Sequence, residues 1–259
     1  MAEQKNYGFK TPQFAEDHYV LGGLGIVSKQ ILCPERNWLR YAPIGEPQQR
    51  LIETSSCTEF GTLNIIEMLQ RRLYGIEPDY SERFVAIGSG NSPDGNDPHI
   101  VAEWIRKNGL VNEKDLPFDD SLRTWSDYFS PNPLTNQLLG KGQRWLKQYN
   151  FQHEWVFTGG TIEQKQQKLL EALQYSPIGV SVRAWTRNGT SRYVKPAGAQ
   201  DNHWCVLAGA VNGSHWLIYD SYTDDDFVKE LDWQYDFGFA KLFSITETTK
   251  QCFLTKLFG

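Results

Sequence analysis

Phe60, Leu63, Ile66, Leu69 and Leu73 recur at intervals of three or four, so one face of a helix is apolar from about Ser56 to Tyr74. Ser55 and Ser56 are cap-type residues ahead of it, and Gly75 ends it. A second helix is predicted over Pro98–Asn108, where Ile100, Val101, Trp104 and Ile105 are apolar and Gly109 is a stop. A third is predicted from Ile162 to Tyr175, opened by a capping box of Thr161 and Gln164. After Pro177 the period falls to two. IGVSVRAW alternates apolar and polar residues as a half-buried strand does. WCVLAGAV and HWLIYDSY flank Asn212-Gly213, the pair favoured in two-residue hairpin turns, and FAKLFSITE reads as a further strand. The stretch Tyr19–Val27 is broken by glycines and suits a strand or a draped arm. Residues 1–44 therefore read as an N-terminal arm, 45–125 as helical and 126–259 as β-rich, within one α+β domain of two packed lobes with a cleft between them.

Composition narrows the function classes. With 40% apolar and 22% charged residues, the 259-residue chain has the make-up of an ordinary globular domain. The 26 basic and 31 acidic side chains leave a net charge of −5, which argues against nucleic-acid binding. No apolar run approaches the ~20 residues of a membrane span, and the start MAEQKNYGF lacks a signal-peptide pattern, so a cytoplasmic protein without a membrane partner is expected. Cys33, Cys57, Cys205 and Cys252 are scattered, with no CxxC pair, which points to a reducing compartment and to no metal site. Asp224-Asp225-Asp226 lacks the glycine and distal Glu of a calcium loop and reads as a solvated acidic turn.

The chemistry centres on Cys57. A thiol at the first turn of a helix meets unpaired N–H groups and the positive end of the dipole, which favour thiolate, the nucleophile of acyl transfer. His203, at the mouth of the strand WCVLAGAV, is the best placed of five histidines to act as its base. In a hairpin closed by a two-residue turn, Asp220 falls roughly abreast of His203, where its carboxylate fixes the imidazole tautomer, and Tyr222 shields that bond. The Cys57 N–H and the side-chain amide of Gln49 or Gln48 are the candidate donors of an oxyanion hole.

These residues resemble the papain-like cysteine peptidase family. The resemblance is carried by the Gln-containing loop before SSCTEF, by SERFVAIGSG, AEWIRKNGLVNEKDLPF and SPIGVSVRAW, and above all by DNHWCVLAGAV followed by HWLIYDSY, over residues 38–225. His203 follows Cys57 by 146 residues, within the family's spacing of about 130–150. The family implies Cys57 on one cleft wall, His203 on the other, and a peptide or protein substrate with no cofactor. It also implies that the turn-rich stretch Asn91 to His99 borders the substrate groove, with Ser89 and Gly90 giving extended backbone contacts to a peptide; Asn202 and Tyr222 are further cleft candidates. The chain departs from the family pattern in several places. Thr58 replaces the Trp after the nucleophile, Asp220 the orienting Asn, and Tyr222 a Trp. Leu51 holds the position of the oxyanion Gln, and Thr54 that of a disulfide cysteine. No propeptide of family length precedes Cys57, so control by another route is expected.

Bland readings stand beside the sharp ones. A lone Cys57 is a small buried hydrophobe, a lone His203 a structural histidine, and Asp220 a strand-end turn former. The triad in family order favours a cysteine peptidase, resembling the short versions encoded by bacteria or their viruses. An amidase or transglutaminase-like acyltransferase, or a catalytically dead binding module, keeps the same fold.

Overall fold

The computed structural model describes residues 5–14, 18–21, 29–129, 133–187, 189, 191–222 and 226–248. Asp224, Asp225, Cys252 and residues 22–27 of the glycine-broken stretch lie outside them. Among the described residues the α-helices are α1 (Cys57–Tyr74), α2 (Glu82–Ser89), α3 (Pro98–Asn108), α4 (Trp125–Phe129), α5 (Asn136–Gln148) and α6 (Ile162–Ala172). The strands among them are β1 (Tyr149–Phe157), β2 (Ile178–Val182), β3 (His203–Val211), β4 (His215–Tyr219), β5 (Val228–Asp232) and β6 (Ala240–Glu247). They form one antiparallel sheet in the order β1-β6-β2-β3-β4-β5. Helix α1 is buried against β3 on one side and against α2 and α3 on the other.

Helix α1 begins at Cys57 and α3 occupies the predicted span. Helix α6 stops at Ala172, three residues short of expectation, because Pro177 disfavours helix at the residue before it and the chain turns first. Four thiols were scattered in sequence; Cys33, Cys57 and Cys205 are buried and free. Among the described residues no helix is long and apolar enough to cross a membrane.

The β3–β4 hairpin corrects one expectation. Val211 pairs with His215, so the turn holds three residues, Asn212, Gly213 and Ser214, rather than two. A bulge between Leu207 and Gly209 then shifts the register back, and Val206 pairs with Tyr219 as a two-residue turn would have it. The bulge lies where residues 36–38 dock: Trp38 N donates to Ala208 O and Ala210 N to Arg36 O. The two irregularities cancel, and continuing the register sets Asp220 opposite Cys205, diagonal to His203 on the same face.

Candidate active site

Trp204 fixes the approach of the two walls. Its indole is fully buried between α1 and β2, where a Cβ on Gly61 would lie 2.9 Å from the ring and one on Gly179 2.4 Å. With glycine at both positions, α1 closes onto β3, and Trp204 N donates to Cys57 Sγ at 3.3 Å. Cys57 is the first residue of α1, behind Ser55 at φ 50°, a left-handed conformation rare for a non-glycine residue. Ser56 is the N-cap residue, but its hydroxyl bonds Thr54 O instead of a helical N–H, and Asn91 Nδ2 donates to it. The first turn of α1 thus keeps N–H groups free beside the sulfur.

His203 and Asp220 are both fully buried and meet at 2.5 Å, Nε2 to Oδ1. Tyr222 N donates to the same oxygen at 3.1 Å, and Lys229 Nζ pairs with Oδ2 at 3.0 Å. Burial opposes ionisation of Asp220, but His203 and Lys229 outweigh it and hold the carboxyl below its ordinary value. Lys229 has no motif in the sequence; it faces inward because β5 alternates exposed and buried positions and places it on the buried side. The Trp185 ring stands edge-on to His203, with centroids 5.7 Å apart, and completes the wall.

The N-terminal arm runs across this site. Tyr7 N donates to Asn202 O at 2.9 Å, and Tyr7 O accepts from Gln48 Nε2 at 2.9 Å. Asn202 Nδ2 holds Lys5 O at 2.7 Å. The Tyr7 ring lies edge-on to His203 and to Tyr222. Gly8 crosses directly over Ser55: a Cβ there would meet Ser55 O at 2.2 Å, and φ is 109°, so only glycine fits. Gly8 O accepts from Asn96 N and Lys10 N donates to Asn96 O, a parallel bridge about Phe9. Phe9 is buried with Cys57, Trp155 and Trp204, its ring parallel to the Trp204 indole at 6.0 Å.

This cover changes the state of the sulfur. The helix terminus alone predicts a thiolate; in the closed arrangement burial pushes the Cys57 thiol well up, with Glu59, Asp220 and Glu53 adding to the rise and only the Trp204 N–H opposing it. His203 Nδ1 is buried and makes no hydrogen bond, so thiol and imidazole are not bonded to each other here.

The remaining expected residues divide. Gln48 is buried and, besides holding Tyr7 O, bonds Glu53 and Ser221. Gln49 is exposed and accepts from the Tyr222 hydroxyl. Ser89 Oγ is tied to Glu59 and Asn96, while Gly90 is exposed and caps α2. The backbones that pair with the crossing chain are those of Asn96 and Asn202. Tyr7, Phe9 and Lys229 were not singled out from sequence, while Asn96 and Trp185 fall within the stretches Asn91 to His99 and SPIGVSVRAW; the only cue to the crossing segment was its aromatic pair astride a glycine.

No family model and no curated protein matches the sequence. Solved structures do match in shape. Xylellain, a cysteine protease from Xylella fastidiosa, superposes with a TM-score of 0.66 at 17% identity, over 95% of this chain and 97% of its own. Digestive procathepsin L 3 of Tenebrio molitor gives 0.57 at 15%, over 85% and 72%. Bromelain of Ananas comosus, in complex with the inhibitor E64, gives 0.55 at 17%, over 80% and 97%. The helical and antiparallel layers are therefore those of the papain-like cysteine protease fold.

Proposed function

We propose that the chain is a cysteine peptidase that hydrolyses peptide bonds through a thioester on Cys57. The observation that carries this reading is the extended chain held over the sulfur. One residue, Tyr7, gives its N–H to Asn202 O and its carbonyl to the Gln48 amide, while its neighbours pair with Asn96. The cleft is built to bind a peptide backbone, and in the described form it binds the chain's own.

With residues 5–10 displaced, a substrate carbonyl takes the place of this segment. His203 Nδ1, the nitrogen that Asp220 leaves free, accepts the thiol proton, and Sγ attacks the carbonyl carbon. The Cys57 N–H and Gln48 Nε2 hold the oxyanion. The imidazolium protonates the departing amine as the C–N bond breaks, leaving a thioester. A water, deprotonated by the same imidazole, then releases the acid and regenerates the thiol. Asp220 keeps the tautomer, and Lys229 keeps Asp220 ionised. Removing the arm also removes hydrocarbon from the sulfur, so the thiol pKa falls towards the range that the helix terminus favours.

A second reading, a binding module without turnover, is favoured by the full burial of Cys57 and the missing thiol–imidazole bond. Hydrolysis of a fluorogenic peptide library separates the two. A peptidase cleaves, and Cys57→Ala and His203→Ala each abolish cleavage. Absence of turnover by the Phe9→Ala protein, folded and with its cleft loosened, refutes the peptidase reading. Labelling by an E64-type peptidyl epoxide with transfer to amines but no hydrolysis identifies an acyltransferase.

A further inference from the structure

The segment that crosses the cleft also measures its width. Gly8 passes through a neck whose two sides are main chain. A Cβ on Gly8 would lie 2.2 Å from Ser55 O and 2.4 Å from its carbonyl carbon. On the other side stands Gly95, where a Cβ would lie 2.0 Å from Gly8 O. Neither side can yield by turning a side chain. Ser55 N donates to Glu53 Oε1 at 3.1 Å, and Asn91 Nδ2 grips the preceding carbonyl, Thr54 O, at 3.1 Å. Gly95, at φ 87°, closes a tight turn by donating its N–H to Ser92 O at 2.7 Å. A residue with a Cβ in this neck must displace backbone that is bonded elsewhere, so the neck passes glycine and resists other residues.

An aromatic seat lies on each side of the neck. The Tyr7 ring stands edge-on to His203 and Tyr222, with centroids 5.4 and 4.6 Å away. Phe9 lies over the Trp204 indole and beside Phe239, in one cluster with Cys57 and Trp155. The Trp204 indole is wedged against Gly61 and Gly179, so this second seat has a rigid floor. The main-chain bonds to Asn202, Gln48 and Asn96 accept any sequence. Selection therefore falls on the neck and the two seats.

We propose that the cleft selects peptides in which a glycine stands between two aromatic residues, the pattern that Tyr7, Gly8 and Phe9 present to it. This names the substrate class of the peptidase and rests on that reading for the cleavage step, while recognition is measured without turnover.

The test uses the full chain carrying Phe9→Ala, whose arm docks weakly, and as a second opened form the full chain carrying Gly8→Ala. The probe is the hexapeptide of residues 5–10, blocked at both ends, at millimolar concentration, the range in which a free peptide competes with a tethered one. Its binding is read as protection of Cys57 from an E64-type peptidyl epoxide, with Cys33 and Cys205 as controls. The parent hexapeptide should protect Cys57, and its Gly8→Ala, Tyr7→Ala and Phe9→Ala forms should each need at least about tenfold more peptide. A scrambled hexapeptide of the same composition should not protect. Among peptides of a mixed library that are cleaved, glycine between aromatics should be enriched at one fixed distance from the cut. Equal protection by the parent and the Gly8→Ala hexapeptide, or no protection by the parent, overturns the proposal. Cleavage without regard to glycine also overturns it and leaves the peptidase reading standing. Protection in the expected order with no peptide cleaved supports the selectivity and refutes the peptidase.

Discussion

Phe9→Ala tests the idea that a dispensable segment closes the cleft. The Phe9 ring is 4% exposed, parallel to Trp204 and 6.1 Å from Phe239. Burying a phenylalanine side chain contributes about 1.5–3 kcal/mol, and the aromatic pair adds about 0.5–1.5 kcal/mol. Phe9 packs in a small cluster with Cys57, Trp155 and Trp204, apart from the main core against which Tyr7 lies partly buried. The loss therefore falls on local docking of the arm and not on global unfolding. Weakening docking by about 2 kcal/mol raises the open fraction about 30-fold, since each 1.4 kcal/mol is tenfold. The assay is the rate of epoxide labelling at each thiol, read by intact mass and peptide mapping. Cys33 and Cys205, both free and buried, serve as internal controls. The variant should label at Cys57 about 30 times faster, with Cys33 and Cys205 unchanged. An unchanged Cys57 rate refutes the reasoning. A parallel rise at Cys57, Cys33 and Cys205 does so too, because it would mean that the whole molecule had loosened.

Two further predictions follow from buried charges. Asp220→Ala strips His203 Nε2 and Lys229 of their common partner and should lower stability by about 3–5 kcal/mol in denaturant titration, whereas Asp220→Asn retains an acceptor and should lose less. Lys241 is fully buried beside the Trp155 ring and His99, and burial pulls its ammonium down to about 7. Below about pH 7 both states hold this proton and the burial penalty is complete. Between about 7 and 10.5 the folded chain releases it first, so stability climbs with pH by up to about 1.4 kcal/mol per unit. Lys241→Met should be flatter than the parent over that window, and identical slopes would contradict the assignment.

The parts of the site written in local pattern were legible. The heptad-like spacing of Phe60 to Leu73 with serines before it located α1 and put Cys57 at its start, and the hairpin sequence placed His203 and Asp220 on one face. The turn was misjudged by one residue, yet the bulge at Ala208 restored the register, a compensation set by the docking of residues 36–38 that no local signal encodes. Between Gln48 and Gln49 the sequence offered no choice, because burial decides it and burial depends on Ser221 and Glu53. Helix α5 was hidden by Gly140 and Gly142, and β1 by the polar buried pair His153 and Glu154. The course of the arm across the cleft was the largest omission. Its hold on the cleft is made mostly of backbone bonds to Asn202, Gln48 and Asn96, which leave no periodicity in residues 5–10.

The account stands or falls on Cys57 and His203 acting together on a carbonyl. Rapid acid quenching of the protein with an activated peptide ester, followed by mass mapping, measures this directly. A single acyl group should appear on Cys57 within one turnover, build up faster in Phe9→Ala and be absent in His203→Ala. Acylation that is missing from Cys57, or that persists without His203, would contradict it.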